Sequence, residues 1–540
     1  MRRKLLATCG WLLGAVLAVL AASAAAQAPA DRTPRTAEMG DLLRRGQQLE
    51  SERRWGDALT HYEDALRQFP DERSLERRFE LARLHYDLTR RYNDASFSDT
   101  LRRIPAGEAF GLYGDVLLKI QAYYVERPDF KELVERGMND LEVALGESSF
   151  VARNVPQSSL AAIAAFRDEL RRTLGPRTIS SPDDAREAVA EAVRLAERRL
   201  SLSATPVVLE FLCGATNALD PYSSYLTPNQ LSEVYSQIEG NFVGLGVELK
   251  AQDGALLIVR VIPNSPAQQA GIRAGDLIVA VNGAATRNYS TDQAANLLQG
   301  EAGSSVALSV VAPGQPPREL SLRRQKVDVP SVDEVRMLDA QRGVAYLKLI
   351  CFQKNTAHDL DLALWRLYRE GMRSLVMDLR GNPGGMLVAA VEVVEKFVDH
   401  GVIVTTRGRD VGESTTYSAR GKGTWRVPLA VLIDQDSASA AEIFAGAIRD
   451  HQRGEIVGVR SYGKGSVQRI FPLSYGSSGV RLTTARFYSP VGHPYARVGV
   501  EPNVLVHQTA KAQPGVPLAP TGDAMLSAAV EAAAHAPGVR

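Results

Sequence analysis

Apolar positions recur at helical spacing through LLRRGQQLE and WGDALTHYEDALRQF, between residues 39 and 72, and again through RSLERRFELARLHYDL. The same period runs on through YGDVLLKIQAYYVERPDFKELVERGMNDLEVAL and DDAREAVAEAVRLAERRLS, which predicts an all-helical first half. Near Gly240 the pattern changes. Short β-rich runs such as ALLIVRVI, DLIVAVNG and VALSVVA alternate with Gly and Pro turns as far as about Lys326. After Pro330, strand-like and helix-like runs alternate: GVAYLKLI, HDLDLALWRLYREG, SLVMDLRG, MLVAAVEVVEKFVDHG, PLAVLID, AAEIFAGAIRD. That order predicts an α/β layer. Beyond Val506 the stretch QTAKAQPGVPLAP reads as a tail. The segments expected are therefore helical over 38–112 and 113–237, β-rich over 238–326, α/β over 327–506 and a tail over 507–540.

Composition changes this picture at the N-terminus only. Arg2, Arg3 and Lys4 precede the apolar run Leu5 to Ala22 and the small residues Ala24 to Ala26, the order of a secretory signal spanning 1–26. Its removal takes the formal charge from +1 to −2, which gives no electrostatic hold on nucleic acid. Cys213 and Cys351 are then the cysteines left, too few for a disulfide framework and without metal-ligand spacing. Export and an Ala- and Arg-rich composition point to a bacterial periplasm. In the first helical segment Gly46, Ala58, Tyr62, Ala65 and Pro70 resemble one tetratricopeptide repeat. Such repeats need about three neighbours to bury a core, so a repeat-like helical hairpin is expected.

The candidate chemistry lies in the α/β segment. GVRSYGKGSVQ, Gly458 to Gln468, comes within one residue of a phosphate-binding loop. Gly465 stands where such a loop has Ser or Thr for Mg²⁺, and the β-flavoured SVQRIFPL follows where a helix is needed. Nucleotide binding is thus a poor fit, and no cofactor or metal is implied. Upstream, the strand-like PLAVLID, the turn DQDSAS and the amphipathic AAEIFAGAIRD would present a serine hydroxyl beside free helix N–H groups. Ser439-Ala440-Ala441-Glu442 also reads as a helix capping box, and Ser437 is a rival nucleophile. A lysine serves as base to such a serine when burial makes its amine neutral. His451 ends the helix that Ser439 begins, which places it about 18 Å along the axis, out of reach as a base.

Six ordered markers carry a family resemblance: LDPYSSYL, FVGLGVEL, DLRGNPGG, SASAAE, YGKGSVQ and LTTARFYSPVG. From about Tyr113 to Val506 the chain resembles the C-terminal processing (tail-specific) serine peptidases of the S41 type. The resemblance implies a multidomain α+β fold. Its parts are a helical N-terminal region, a PDZ module over 238–326 and a crotonase/ClpP-like α/β peptidase core over 327–506. It further implies Ser439 as nucleophile, Lys464 as base and Gln468 as the residue orienting the amine. Oxyanion donors would be the Ala440 and Gly385 N–H groups. The PDZ carboxylate loop and strand fall on Phe242, Val243, Gly244, Leu245, Gly246 and Val247, and a groove helix falls on 290–300. The implied partners are protein or peptide substrates with free C-termini. The helical N-terminal region would be a surface for a second copy or for an envelope lipoprotein adaptor. The chain departs from the pattern at Asp436, Ala441 and Asn503, where glycine, a small hydroxyl residue and aspartate are usual. The alternative function is a weak or inactive peptidase-fold scaffold in the cell envelope.

Overall fold

The computed structural model describes residues 32–70, 72–252, 255–288, 298, 300–410, 412, 414–421, 424–506 and 522–535. The expected signal segment 1–26 and most of the expected groove helix 290–300 lie outside these. The chain divides into two compact units at Asn93/Asp94. The first is helical: Arg32–Ser51, Trp55–Gln68 and Arg73–Asn93. Its core is Leu49, Ala58, Tyr62, Ala65, Leu75 and Ala82, so the third helix joins the repeat-like pair. The expected boundary at 112 falls later in the chain than this division. Residues 94–112 fold with the second unit, where Thr205 Oγ1 donates to the Ile104 carbonyl (3.0 Å).

In the second unit, helices from Ala95–Arg103 to Ala204–Asn217 lead into a β-module and then the core. The central helix Ala204–Asn217 is buried on all sides, as a helix apolar all round must be. The β-module has a six-stranded antiparallel sheet whose path runs Val247–Gln252, Ala255–Val261, Leu277–Val281, Ser305–Val311, Arg318–Arg323. The short Ala284–Ala285 pairs with Leu277–Val281 off that path. A two-stranded ribbon, Asn241–Gly244 against Gln325–Asp328, carries the chain into and out of this module.

The core is a six-stranded sheet in the order Val332–Asp339, Val344–Leu349, Ser374–Asp378, Leu429–Ile433, Glu455–Gly458, Val504–Leu505. Its first pair is antiparallel and the others are parallel. SLVMD and LAVLI are buried along their whole length, as central parallel strands covered on both faces require. One face packs on helices Thr356–Arg369, Leu387–Val394 and Ala440–Asp450. The other face is covered by a helix that the sequence reading did not anticipate. Within the expected tail, Ala524–His535 buries Met525, Leu526, Ala529 and Ala533 against Val344, Val376 and Leu432. Ala-rich composition lowered the apparent hydrophobic signal there, yet small side chains let this helix lie close on the sheet. A second, antiparallel sheet joins Ser224–Leu226, Val402–Arg407 and Ser466–Pro472 through the long strand Gly479–Tyr488, with Thr415–Ser418 paired to Val402–Arg407.

Candidate active site

Three loops meet at the C-terminal ends of the core strands, where open α/β sheets place their sites. The first follows SLVMD. Asn382, 1 % exposed, accepts the Gly384 N–H on Oδ1 (2.8 Å) and donates from Nδ2 to the Leu349 carbonyl (2.7 Å). Its carbonyl takes the Ala438 N–H (2.9 Å), which ties this turn to the second loop. Gly384 (φ 98°) and Gly385 (φ 140°) hold backbone that side chains rarely adopt. A Cβ on Gly384 would come within 2.7 Å of the Ser439 Cβ and 2.8 Å of the Ala440 nitrogen. Phe352 brackets the turn, donating to the Gly384 carbonyl (2.9 Å) and accepting from Met386 (2.8 Å). Neither the Gly385 nor the Ala440 N–H has an acceptor among the described residues.

The second loop follows LAVLI. Asp434 Oδ1 accepts the N–H groups of Gly381, Asp436 and Ser437, each at 3.0 Å. Ser437 is fully buried and its hydroxyl donates to the Leu379 carbonyl (2.8 Å), so the rival nucleophile is a structural hydroxyl. Ser439 stands at φ 57°, ψ −114°, a strained conformation for a non-glycine residue, at the head of Ala440–Asp450. Ala441, at the site of a common family hydroxyl, is fully buried. His451 at the far end of that helix bonds through Nε2 to the Val402 carbonyl (2.7 Å).

The third loop carries Lys464, and one buried side chain joins it to the second. Glu442, fully buried, accepts the Ser439 N–H (2.7 Å) and the Lys464 N–H (2.9 Å) on the same oxygen, Oε2. Its Oε1 takes the Ser461 hydroxyl (2.6 Å) and the Gly463 N–H (2.7 Å). Four donors on one carboxylate suit the ionised form, which only accepts. Burial pushes the Glu442 carboxyl up from its ordinary range, and those donors oppose the rise. Sequence reading gave Glu442 only half of this role, as a helix cap; its spacing three after Ser439 was the available signal.

The Lys464 ammonium position lies 5.0 Å from the centre of the Tyr222 ring. Burial pulls its pKa down from the ordinary 10.5, and the nearby Arg481 guanidinium adds to this, while Glu442 and Asp220 act in the opposite direction. LDPYSSYL builds that floor. Asp220 caps the N–H groups of Tyr222 (2.7 Å) and Ser223 (2.8 Å), and Arg481 Nε holds the Tyr222 carbonyl (2.9 Å). The Gln468 amide donates to Ser466 Oγ (2.8 Å) and Thr483 Oγ1 (3.4 Å), and no hydrogen bond links it to Lys464 among the described residues. Lys464 lies before the strand that carries Gln468, which starts only at Ser466, and the register shift between Val467 and Gln468 leaves its extra residue, Thr484, on the partner strand Gly479–Tyr488. Nor does a hydrogen bond join Lys464 Nζ to Ser439 among the described residues.

In the β-module, Phe242 and Val243 sit in the entry ribbon. Leu245 is a core residue, 2 % exposed, and Val247 opens the first sheet strand. The Leu245 and Gly246 carbonyls accept from Ala267 and Ile262 (both 2.9 Å), whereas their N–H groups have no acceptor among the described residues. Gly246, at φ 81°, presses on Ser265, where a Cβ would come within 2.1 Å.

A sequence model of peptidase family S41 matches residues 343–506, and a PDZ domain model matches 257–311. A carboxy-terminal-processing protease of Bartonella bacilliformis is 35% identical over 301 residues, 55% of this chain and 68% of that protein. The chain belongs to peptidase family S41. This S41 peptidase is also 32% identical over 344 residues to a carboxyl-terminal-processing protease of Picosynechococcus, covering 63% of the chain and 77% of the relative. Among solved structures, a photosystem II D1 C-terminal processing protease is similar at 28% identity and a TM-score of 0.43, over 79% of this chain and 98% of that one. The S41 peptidase is therefore a serine endopeptidase with a PDZ domain. No metal-ligating cluster of His, Cys, Asp or Glu occurs among the described residues, and no described helix is long and apolar enough to cross a membrane.

Proposed function

We propose that this peptidase cleaves exported proteins at or near their C-termini, with Ser439 as nucleophile and Lys464 as general base. The observation that carries the reading is the shared Glu442 oxygen, which fixes the backbones of Ser439 and Lys464 against one another. Ser439 Oγ adds to the peptide carbonyl carbon as its proton passes to Lys464 Nζ. The carbonyl oxygen takes up negative charge between the Ala440 and Gly385 N–H groups, whose lack of an internal acceptor suits them to this task. Collapse breaks the C–N bond, Lys464 returns the proton to the departing amine, and water then releases the acyl group from Ser439. Before the first step the Lys464 side chain turns from Tyr222 toward Ser439, and the Gln468 amide turns from Ser466 to steady it.

The PDZ module supplies substrate choice. The unfilled N–H groups of Leu245 and Gly246 suit a terminal carboxylate, and Val247–Gln252 offers the strand on which an extended peptide adds. Arg2 to Ala26 would direct the chain to a bacterial periplasm. The test is proteolysis of casein and of a protein with an unstructured C-terminal tag by wild type and Ser439→Ala. Loss of cleavage below about one part in a thousand is expected of the variant. Rates at background for wild type as well as for Ser439→Ala would leave the fold as a scaffold.

A further inference from the structure

The helix Ala524–His535 lies beyond the stretch that the family model matches, yet it reaches the candidate active site through one side chain. Asp523, 3 % exposed, caps this helix by accepting the Leu526 N–H on Oδ1 (3.0 Å). Its other oxygen, Oδ2, accepts from Arg380 Nη1 (2.8 Å). The Arg380 guanidinium also donates from Nε and Nη2 to Asp378, at 3.0 and 2.6 Å, and Asp378 takes the Tyr346 hydroxyl at 2.9 Å. Arg380 is the residue before Gly381, and the turn from there to Gly385 carries the proposed oxyanion donor.

Asp378 alone engages one edge of a planar fork of donors, about which the guanidinium can still tilt. A second carboxylate on Nη1 fixes the third corner. Among the described residues, no hydrogen bond links the Arg380 side chain to anything other than these two acids. We infer that Asp523 is a positioning residue for the peptidase reaction: through Arg380 it sets the turn that holds Gly384 and Gly385 against Ser439. The C-terminal helix is then part of the catalytic frame as well as a cover for the sheet. This rests on the Ser439 and oxyanion assignments above.

The decisive variant is Asp523→Asn in the full chain, since asparagine caps a helix about as well as aspartate but removes the charged bond to Arg380. On a tagged substrate, kcat should fall about tenfold with KM within twofold. Affinity for a peptide boronate, whose adduct on Ser439 places an oxyanion in the same turn, should fall in parallel. Asp523→Glu should retain more activity than Asp523→Asn. Amide exchange at residues 381–386 should quicken while the core strands stay protected. If Asp523→Asn does not fold, Arg380→Lys, which keeps a charge beside Asp378 but cannot span both acids, should show the same split between kcat and KM. Wild-type kcat in the folded variant, or a loss that merely follows a uniform fall in stability, overturns the inference. Wild-type proteolysis that survives Ser439→Ala overturns the proposed function instead, so the two failures are told apart.

Discussion

The two halves of the candidate active site are held in different ways. On the nucleophile side, Asn382, Asp434 and Ser437 are locked by hydrogen bonds from several directions, and Ser439 is kept in a strained backbone conformation. On the base side, the backbone of Ser461 to Lys464 is fixed by Glu442, but the Lys464 and Gln468 side chains rest on neighbours other than each other. Strain of this kind persists only where its surroundings over-determine it. Under the proposed function, the half that receives developing charge is preorganised and the half that moves the proton is adjustable. On that reading an unaligned lysine leaves the serine unactivated until a substrate engages.

Glu442 is where the two halves depend on one group, so its loss should give the largest effect. Glu442→Gln keeps the shape but turns an NH₂ toward two of the four donors. We expect kcat to fall on the order of a hundredfold, the scale of a misplacement near 1 Å. Stability should fall by about 2 kcal/mol as buried donors lose their acceptor. A thermal melt beside steady-state kinetics checks both. Near wild-type kcat would mean that the halves are joined by something other than this carboxylate.

The next effect is one of pH. A general base works as the neutral amine, so the rate should rise with pH through the Lys464 pKa, and that rise should be centred below the ordinary lysine value of 10.5. Burial is the larger cause and Arg481 the next. Arg481→Gln removes a like charge and should move the acid limb of kcat/KM to higher pH, while Arg481→Lys should leave it nearly in place. A limb that does not move with Arg481→Gln would show that the titrating group is not Lys464.

Much of the frame was legible beforehand because it is written locally. Strand, turn and helix around Ser439 follow from a buried apolar run, a polar turn and an amphipathic run, and GNPGG marks a turn that only glycine-bearing backbone can make. What stayed hidden is long-range. No local pattern announces that Asp523 will meet Arg380, or that Glu442 will receive N–H groups from residues more than twenty positions away. The terminal helix was missed because Ala-rich sequence bounded by Pro and Gly looks like a tail until a sheet face is there to cover. The Gln468 partners were hidden for the same reason, since its bonds to Ser466 and Thr483 depend on how two strands meet.

The smallest expected effect tests the adjustable half most directly. The Gln468 amide bonds to Ser466 Oγ, so recruiting it to Lys464 means giving up that bond. Ser466→Ala removes the competitor while Thr483 Oγ1, at 3.4 Å, remains as a weaker partner. One net hydrogen bond is worth about 1 kcal/mol, so the freed amide should raise kcat by at most about fivefold, with KM unchanged. The gain should vanish in Gln468→Ala, which isolates the amide as its source in a two-residue cycle. A fall in kcat on Ser466→Ala would reverse the argument: the Gln468 amide would then act from where it already lies, and the base side would be as preorganised as the nucleophile side.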